Sequence, residues 1–382
     1  MIDRQYLELV LSNLVQIDST NPSLSPHGAG EAEIARYATE LMEELGMTVT
    51  QHEPVPGRVS VVGRLTGSGG GRSLMLNAHM DTVAVEGMAE PFSGAIRDGR
   101  LYGRGSQDMK GSLAAQLAAV VALKEAGVQL KGDLFIAGVA DEEFASIGVQ
   151  SILKDFQPDG VIVTEPSDLQ ISLAHKGFIW IEIKTQGRAF HGSRPDMGID
   201  ANMMMGRVLG ELEQLSNELA GRDPHPLLGQ PSCHAAVIQG GTEWSVYSAS
   251  STLQLERRTL PGETPESVSA EIEGILKKLH ADDSAFKASF RIELVRDPFE
   301  VDPEIDLVKI LTDVSGEVLG TPAPHSGQTF WTDAAFHAAS GSDTVLIGPI
   351  GDGLHSAEEW VDVDSVVKLA EILSKTAIQY CN

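Results

Sequence analysis

The residues able to do chemistry fall into short clusters of acids and histidines. They are His79-Met80-Asp81; Asp108 within Gly103-Arg104-Gly105-Ser106-Gln107-Asp108-Met109-Lys110-Gly111; Asp141-Glu142-Glu143; Glu165-Pro166; and Gly351-Asp352-Gly353-Leu354-His355-Ser356. Imidazole nitrogens and carboxylate oxygens suit divalent ions such as zinc, cobalt or manganese. Two such ions about 3.5–4 Å apart need a bridging carboxylate, and each needs roughly two further ligands. Two histidines and three carboxylates supply that set. A further carboxylate must stay off the metals to take the proton of an attacking water. Glu142 and Glu143 are adjacent, so one can serve as ligand and the other as base. Asp81 stands two residues from His79. Its carboxylate can accept the ring N–H that His79 does not give to metal, which fixes the tautomer.

A lone histidine after a strand is more often a packed core residue than a ligand, and a lone Glu-Glu pair is usually solvated. The joint pattern is harder to obtain by accident, because each cluster follows an apolar strand or lies beside one. His79 follows Ser73–Ala78, Asp141 follows Asp133–Ala140, and Glu165 follows Gly160–Thr164. The His355 cluster follows Thr344–Ile347, and Asp108 precedes the Ala- and Leu-rich helix of 109–126. Ligand sites of open α/β sheets lie beyond the carboxyl ends of the strands, so all the clusters can converge there. Helices at 3–17, about 30–45 and from 148, with a strand at Val59–Leu65, complete an α/β sandwich of mostly buried, largely parallel strands.

The pattern changes near residue 177. Phe178–Thr185 alternates apolar and polar residues, as a half-exposed antiparallel strand does. A helix at about 200–219, strands at about 234–239 and 251–258, a helix at 264–280 and a strand at 286–295 follow. That order describes a split-βαβ, ferredoxin-like domain. The helical signal of 303–319 and the strand Thr344–Ile347 return to the first style. The expectation is a discontinuous catalytic domain, 1–176 and 296–382, with an inserted lid or dimerisation domain, 177–295.

Lys plus Arg is 28 and Asp plus Glu is 54, a formal charge of −26. So acidic a chain repels nucleic acid and anionic lipid, so neither is expected as a partner. Cys233 and Cys381 make no disulfide framework. No signal peptide or membrane-spanning run is apparent, and a cytoplasmic protein is expected.

The motifs together resemble the metallopeptidase family of acetylornithine deacetylase, succinyl-diaminopimelate desuccinylase, aminoacylase and carboxypeptidase G, over nearly the whole chain. His79-Met80-Asp81-Thr82-Val83 resembles its first-ligand motif. Tyr102-Gly103-Arg104-Gly105 through Asp108-Met109-Lys110-Gly111 resembles the bridging-ligand motif, and Asp141-Glu142-Glu143 the base-plus-ligand motif. Glu165-Pro166-Ser167 resembles the fourth motif, and Gly353-Leu354-His355-Ser356 with Glu359 the last. The resemblance implies that His79 and Glu165 hold one metal, Glu143 and His355 the other, and Asp108 bridges them. It makes Glu142 the general base and the two divalent ions zinc, with cobalt or manganese as alternatives. It also implies a cis peptide after Asp108. His191, in Gly187-Arg188-Ala189-Phe190-His191-Gly192-Ser193-Arg194-Pro195, matches the family histidine that steadies the oxyanion, often across a homodimer. Arg258, in Leu255-Glu256-Arg257-Arg258-Thr259-Leu260-Pro261-Gly262, is the matching candidate for a substrate carboxylate.

The chain departs from the family in two places. Ser245-Val246-Tyr247-Ser248 stands where many relatives carry an Asn-Val-Pro-like segment that touches substrate, and Gln107 replaces a small residue or cysteine. The expected activity is hydrolysis of an amide bond in a small N-acylated amino acid. A di- or tripeptidase or carboxypeptidase on the same scaffold is the alternative, and a silent binding or dimerisation protein the third reading.

Overall fold

A computed structural model describes all residues 1–382. The chain divides into two compact units. The first comprises Met1–Leu173, Val301–Ser326 and Thr332–Asn382; the second comprises Ala174–Glu300 and Gly327–Trp331.

The first unit is built on a mixed sheet. Its strands run in the order Thr48–Val55, Arg58–Leu65, Leu134–Val139, Leu74–His79, Gly160–Val163, Asp343–Leu346 and Ile171–His175. The strand Ile171–His175 carries the chain into the second unit. Only the middle four strands are mutually parallel. The outer pairings are antiparallel, whereas the sequence pattern suggests a largely parallel sheet. The cause at one edge is the two-residue Pro56-Gly57 turn: a tight hairpin returns the chain antiparallel.

Leu74–His79, Leu134–Val139 and Gly160–Val163 are buried at every position, so they lack period-two alternation. The helix Arg4–Gln16 starts where Asp3 accepts the Tyr6 amide and buries Leu7, Val10, Leu11 and Leu14. The helix Gly111–Glu125 is buried on almost all sides. It packs against Arg4–Gln16 and the C-terminal helix Val363–Tyr380. No helix is long and apolar enough to cross a membrane.

A smaller antiparallel sheet pairs Gly351–Asp352 with Trp360–Asp362, that strand with Arg100–Tyr102, and that one with Ala95–Arg97. It draws the loop after Asp352 beside the turn after Tyr102.

The second unit is a four-stranded antiparallel sheet in the order Ser232–Gly240, Ser250–Thr259, Gly177–Gln186, Ala288–Arg296. The helices Ala201–Ala220 and Pro265–Asp282 complete the β-α-β-β-α-β order. Thr264 and Ser267 form a reciprocal cap on the second helix, with Pro265 in its first turn. Ile179, Ile181 and Ile183 point into a core with Met205, Val208, Leu253 and Ile272.

Candidate active site

Three adjacent parallel strands deliver most of the candidate residues. His79 ends the strand Leu74–His79. Asp141-Glu142-Glu143 follow the strand on one side of it, and Glu165 follows the strand on the other. Asp108 comes from a single wide turn, Ser106–Lys110, ahead of the long helix. That turn leaves Gly105 at φ 79°, where an added Cβ would meet Thr82 Cγ2 at 2.7 Å, so glycine is required. The Asp108–Met109 peptide is cis.

His79 Nε2 stands 2.9 Å from Asp108 Oδ1 and 3.8 Å from Glu165 Oε1. His355 Nε2 stands 3.4 Å from Asp108 Oδ2 and 3.2 Å from Glu143 Oε2. The two oxygens of Asp108 therefore face different histidines. Ligand atoms of His79, Asp108 and Glu143 lie within 4.8 Å of one another, as do those of His79, Glu142 and Glu165. His355 is half-exposed, at φ 57° in the loop after Asp352.

The cluster is crowded with negative charge. Burial pushes Glu142 well above the usual carboxylate range, and Glu165 adds to the push. Burial likewise raises Glu165, against the pull of His79. Glu143 is pushed up to about 7 by burial and by Asp108. Burial works to lower His79, yet the Asp108 hydrogen bond and the Glu165 charge hold it well above its ordinary value. Hydrogen bonds to Asp108 and Glu143 raise His355 to about 10. Asp108 is held below its ordinary value because both histidines outweigh its burial. The imidazoles thus act as the missing cations. A site in this condition favours divalent ions, which would release those protons.

A model of peptidase family M20/M25/M40 matches residues 75–379. The chain belongs to that family. It is 30% identical over 390 residues to acetylornithine deacetylase of Myxococcus xanthus, covering 98% of this chain and 97% of that one. Its fold resembles aminopeptidase PepT from Bacillus cereus, with a TM-score of 0.83 at 19% identity and both chains covered 100%. It also resembles the Bacillus subtilis YXEP protein, described as a dinuclear metal binding peptidase from the M20 family. There the TM-score is 0.75 at 15% identity, with 99% of each chain covered. As a member of the M20 family, the chain is a hydrolase acting on amide or peptide bonds.

One expectation about the family's first motif changes. His79 Nδ1 lies 2.9 Å from the Asp81 backbone carbonyl and 3.7 Å from its carboxylate. The carbonyl, not the side chain, is therefore the nearer acceptor of the ring N–H. The Asp81 carboxylate is occupied elsewhere. It accepts the amides of Glu142 and Glu143 at 3.1 and 3.2 Å and the Asn21 amide group at 2.8 Å. Asp81 thus acts on the Glu142–Glu143 turn.

His191 and Arg258 belong to the second unit. The amide and hydroxyl of Ser193 both reach His191 Nδ1, at 3.2 and 2.8 Å. The amide can only donate, so Nδ1 is the acceptor and Nε2 carries the proton of the neutral ring. The Arg258 guanidinium lies 5.1 Å from the Phe178 ring centroid and donates to Glu256 at 2.7 Å.

Asn21, Glu31 and Arg58 lie beneath the Asp141 turn and belong to none of the motifs. Arg104 and Glu359 lie within motifs but carried no assigned role; here they form a buried pair behind Asp108. Among these only Arg104 and Glu359 had a sequence signal, their place in a motif.

Proposed function

We propose that this chain is a two-metal hydrolase that removes a small acyl group from an N-acylated amino acid. The observation that carries this reading is the convergence of His79, Asp108, Glu142, Glu143, Glu165 and His355 from separate elements. The donor set fits two divalent ions, zinc or else cobalt or manganese. His79 and Glu165 would hold one ion, Glu143 and His355 the other, and Asp108 would serve both. The contact of Glu143 with His355 supports giving Glu143 the ligand role, which leaves the adjacent Glu142 for the proton.

When bound, the ions supply an acidified water and polarise the scissile carbonyl. Glu142 takes the proton of that water and returns it to the leaving amine. Asp81 steadies the Glu142–Glu143 backbone by accepting one amide hydrogen bond from each. His191, with its proton on Nε2, donates to the developing oxyanion. Arg258 is offered to the substrate carboxylate in exchange for Glu256.

The acyl amino acid is favoured over a peptide by the likeness to acetylornithine deacetylase over almost the full length of both chains. The enzyme is proposed to be a cytoplasmic homodimer, with the second unit as its lid or dimerisation domain. A panel of acetylornithine, succinyl-diaminopimelate, other N-acyl amino acids and dipeptides tests the substrate class. Turnover of dipeptides alone would overturn the deacylase reading. Glu142→Ala is expected to keep both metals and lose at least ~10²-fold in kcat. Near-normal turnover in that variant would refute the base assignment.

A further inference from the structure

A buried network beneath the site is not accounted for by any motif. Arg58 is 6% exposed, and Glu31 and Asn21 are fully buried. Arg58 Nε and Nη2 donate to the two oxygens of Glu31 at 2.8 and 2.7 Å. The same Nη2 donates to Asp141 Oδ1 at 2.7 Å, and Nη1 reaches Ser23 Oγ at 3.2 Å. Asn21 Nδ2 donates to both Asp141 and Asp81, at 3.0 and 2.8 Å. The Asp141 amide itself donates to Glu31 Oε1 at 3.2 Å.

The target of these contacts is an unusual backbone. Asp141 adopts φ 67°, a left-handed conformation that most residues other than glycine avoid and that an aspartate reaches when its side chain is held by hydrogen bonds. Its side chain is fixed by Arg58 and Asn21, and its amide by Glu31. From that conformation the next two amides meet Asp81. The Glu142 carboxylate then groups with Glu165, and that of Glu143 with Asp108.

We propose that Arg58 is a positioning residue: its guanidinium, locked on Glu31, holds Asp141 left-handed and so aims Glu142 and Glu143 into the site. The inference rests on the reading of Glu142 as base and Glu143 as ligand. Lysine keeps the charge but lacks the planar fork, so it cannot grip both oxygens of Glu31 and also hold Asp141.

Arg58→Lys is therefore the first test. Turnover is measured on the best substrate of the panel, and cobalt(II) is titrated into metal-free protein while its visible absorption is followed. The expected result is a kcat at least ~10-fold lower with KM nearly unchanged, and cobalt affinity lower by roughly 10-fold or more. Leu373→Ala, fully buried in the C-terminal helix, is the stability control. It is expected to lower Tm but leave kcat and cobalt binding intact. If Arg58→Lys does not fold, Asp141→Asn, which weakens the same contact, should give the same losses. A folded Arg58→Lys with normal kcat and cobalt affinity overturns the proposal. So does a Leu373→Ala that loses both in step with its Tm. Wild-type protein that takes up no cobalt would instead sink the two-metal reading, and the kcat and KM split would still decide the role of Arg58.

Discussion

Glu359→Gln tests how the Asp108 turn is held. The Glu359 carboxylate is 1% exposed and accepts four donors. Oε2 takes Arg104 Nη1 at 2.7 Å and the Gly105 amide at 3.0 Å. Oε1 takes the amides of Gln107 and Asp108 at 2.9 and 3.1 Å. Arg104 also donates to the carbonyls of Ser356 and Ala84, so the pair ties the His355 loop to the Asp108 turn. Glutamine keeps the shape but turns one oxygen into an NH₂ group. Whichever way the amide points, two donors lose their acceptor and face another donor. Arg104 loses its counter-charge in either orientation, and where the new NH₂ also faces Arg104 and Gly105 the buried guanidinium is left unpaired, which costs about 3–5 kcal/mol. Where it faces the Gln107 and Asp108 amides, two hydrogen bonds to a charged acceptor are lost at about 1.5–3 kcal/mol each. The two routes give roughly 3–5 and roughly 3–6 kcal/mol, or a fall in Tm of roughly 10 °C for a unit of this size. If only about 1.4 kcal/mol of that appears as misplacement of Asp108 in the transition state, kcat falls about tenfold. Differential scanning calorimetry of metal-free protein reads the first effect, and steady-state kinetics with excess zinc the second. A Glu359→Gln protein with unchanged Tm and unchanged kcat would refute the reasoning.

Asp81→Asn should cut metal affinity or activity by roughly 10–100-fold, because the new NH₂ opposes the amide of Glu142 or Glu143. Calorimetric zinc titration and kcat check it. His337 is fully buried with no hydrogen-bond partner on either ring nitrogen, and burial lowers its pKa to about 3. A histidine kept neutral in the fold contributes stability that is complete above pH 6.5, its unfolded value, and is lost as pH falls toward 3. Between pH 7 and pH 5 wild-type protein should therefore lose about 2 kcal/mol more than His337→Gln in urea denaturation, and parallel losses would disprove it. Chelation should abolish turnover. Zinc returned at about 100 times its Kd should restore roughly 2.7 kcal/mol of stability per site, and a Tm unmoved by zinc would count against the site.

The contiguous motifs were legible because strand ends put neighbouring residues to use together. His79, Asp141-Glu142-Glu143 and Glu165 each follow a fully buried strand, and the sequence marks such strands as apolar runs. The ferredoxin-like unit was legible because Ile179, Ile181 and Ile183 alternate with polar neighbours. The strand Ile171–His175 carries no such alternation, since all of it is buried. Gly351–Asp352 and Trp360–Asp362 are too short for any period to register, yet they bring His355 to Asp108. Arg58 had no signal at all: it begins a strand, and its partners Glu31 and Asp141 lie 27 and 83 residues away.

The cations of the first unit sharpen the case for metal. Arg58 is held by Glu31 and Asp141, and Arg104 by Glu359. Each is bound one layer behind the cluster. The ion pairs of Asp108, Glu143 and Glu165 are with histidines alone. A histidine can give up its proton to a competing cation, whereas an arginine cannot. Had the fold placed Arg58 or Arg104 against Asp108, the cluster would be neutralised permanently and metal affinity would fall. The outer layer ties its arginines to its own carboxylates and fixes geometry, while the inner carboxylates are left to groups that can give way to a metal. That division explains why the supporting arginines sit behind the turns of Asp108 and Asp141 rather than between them.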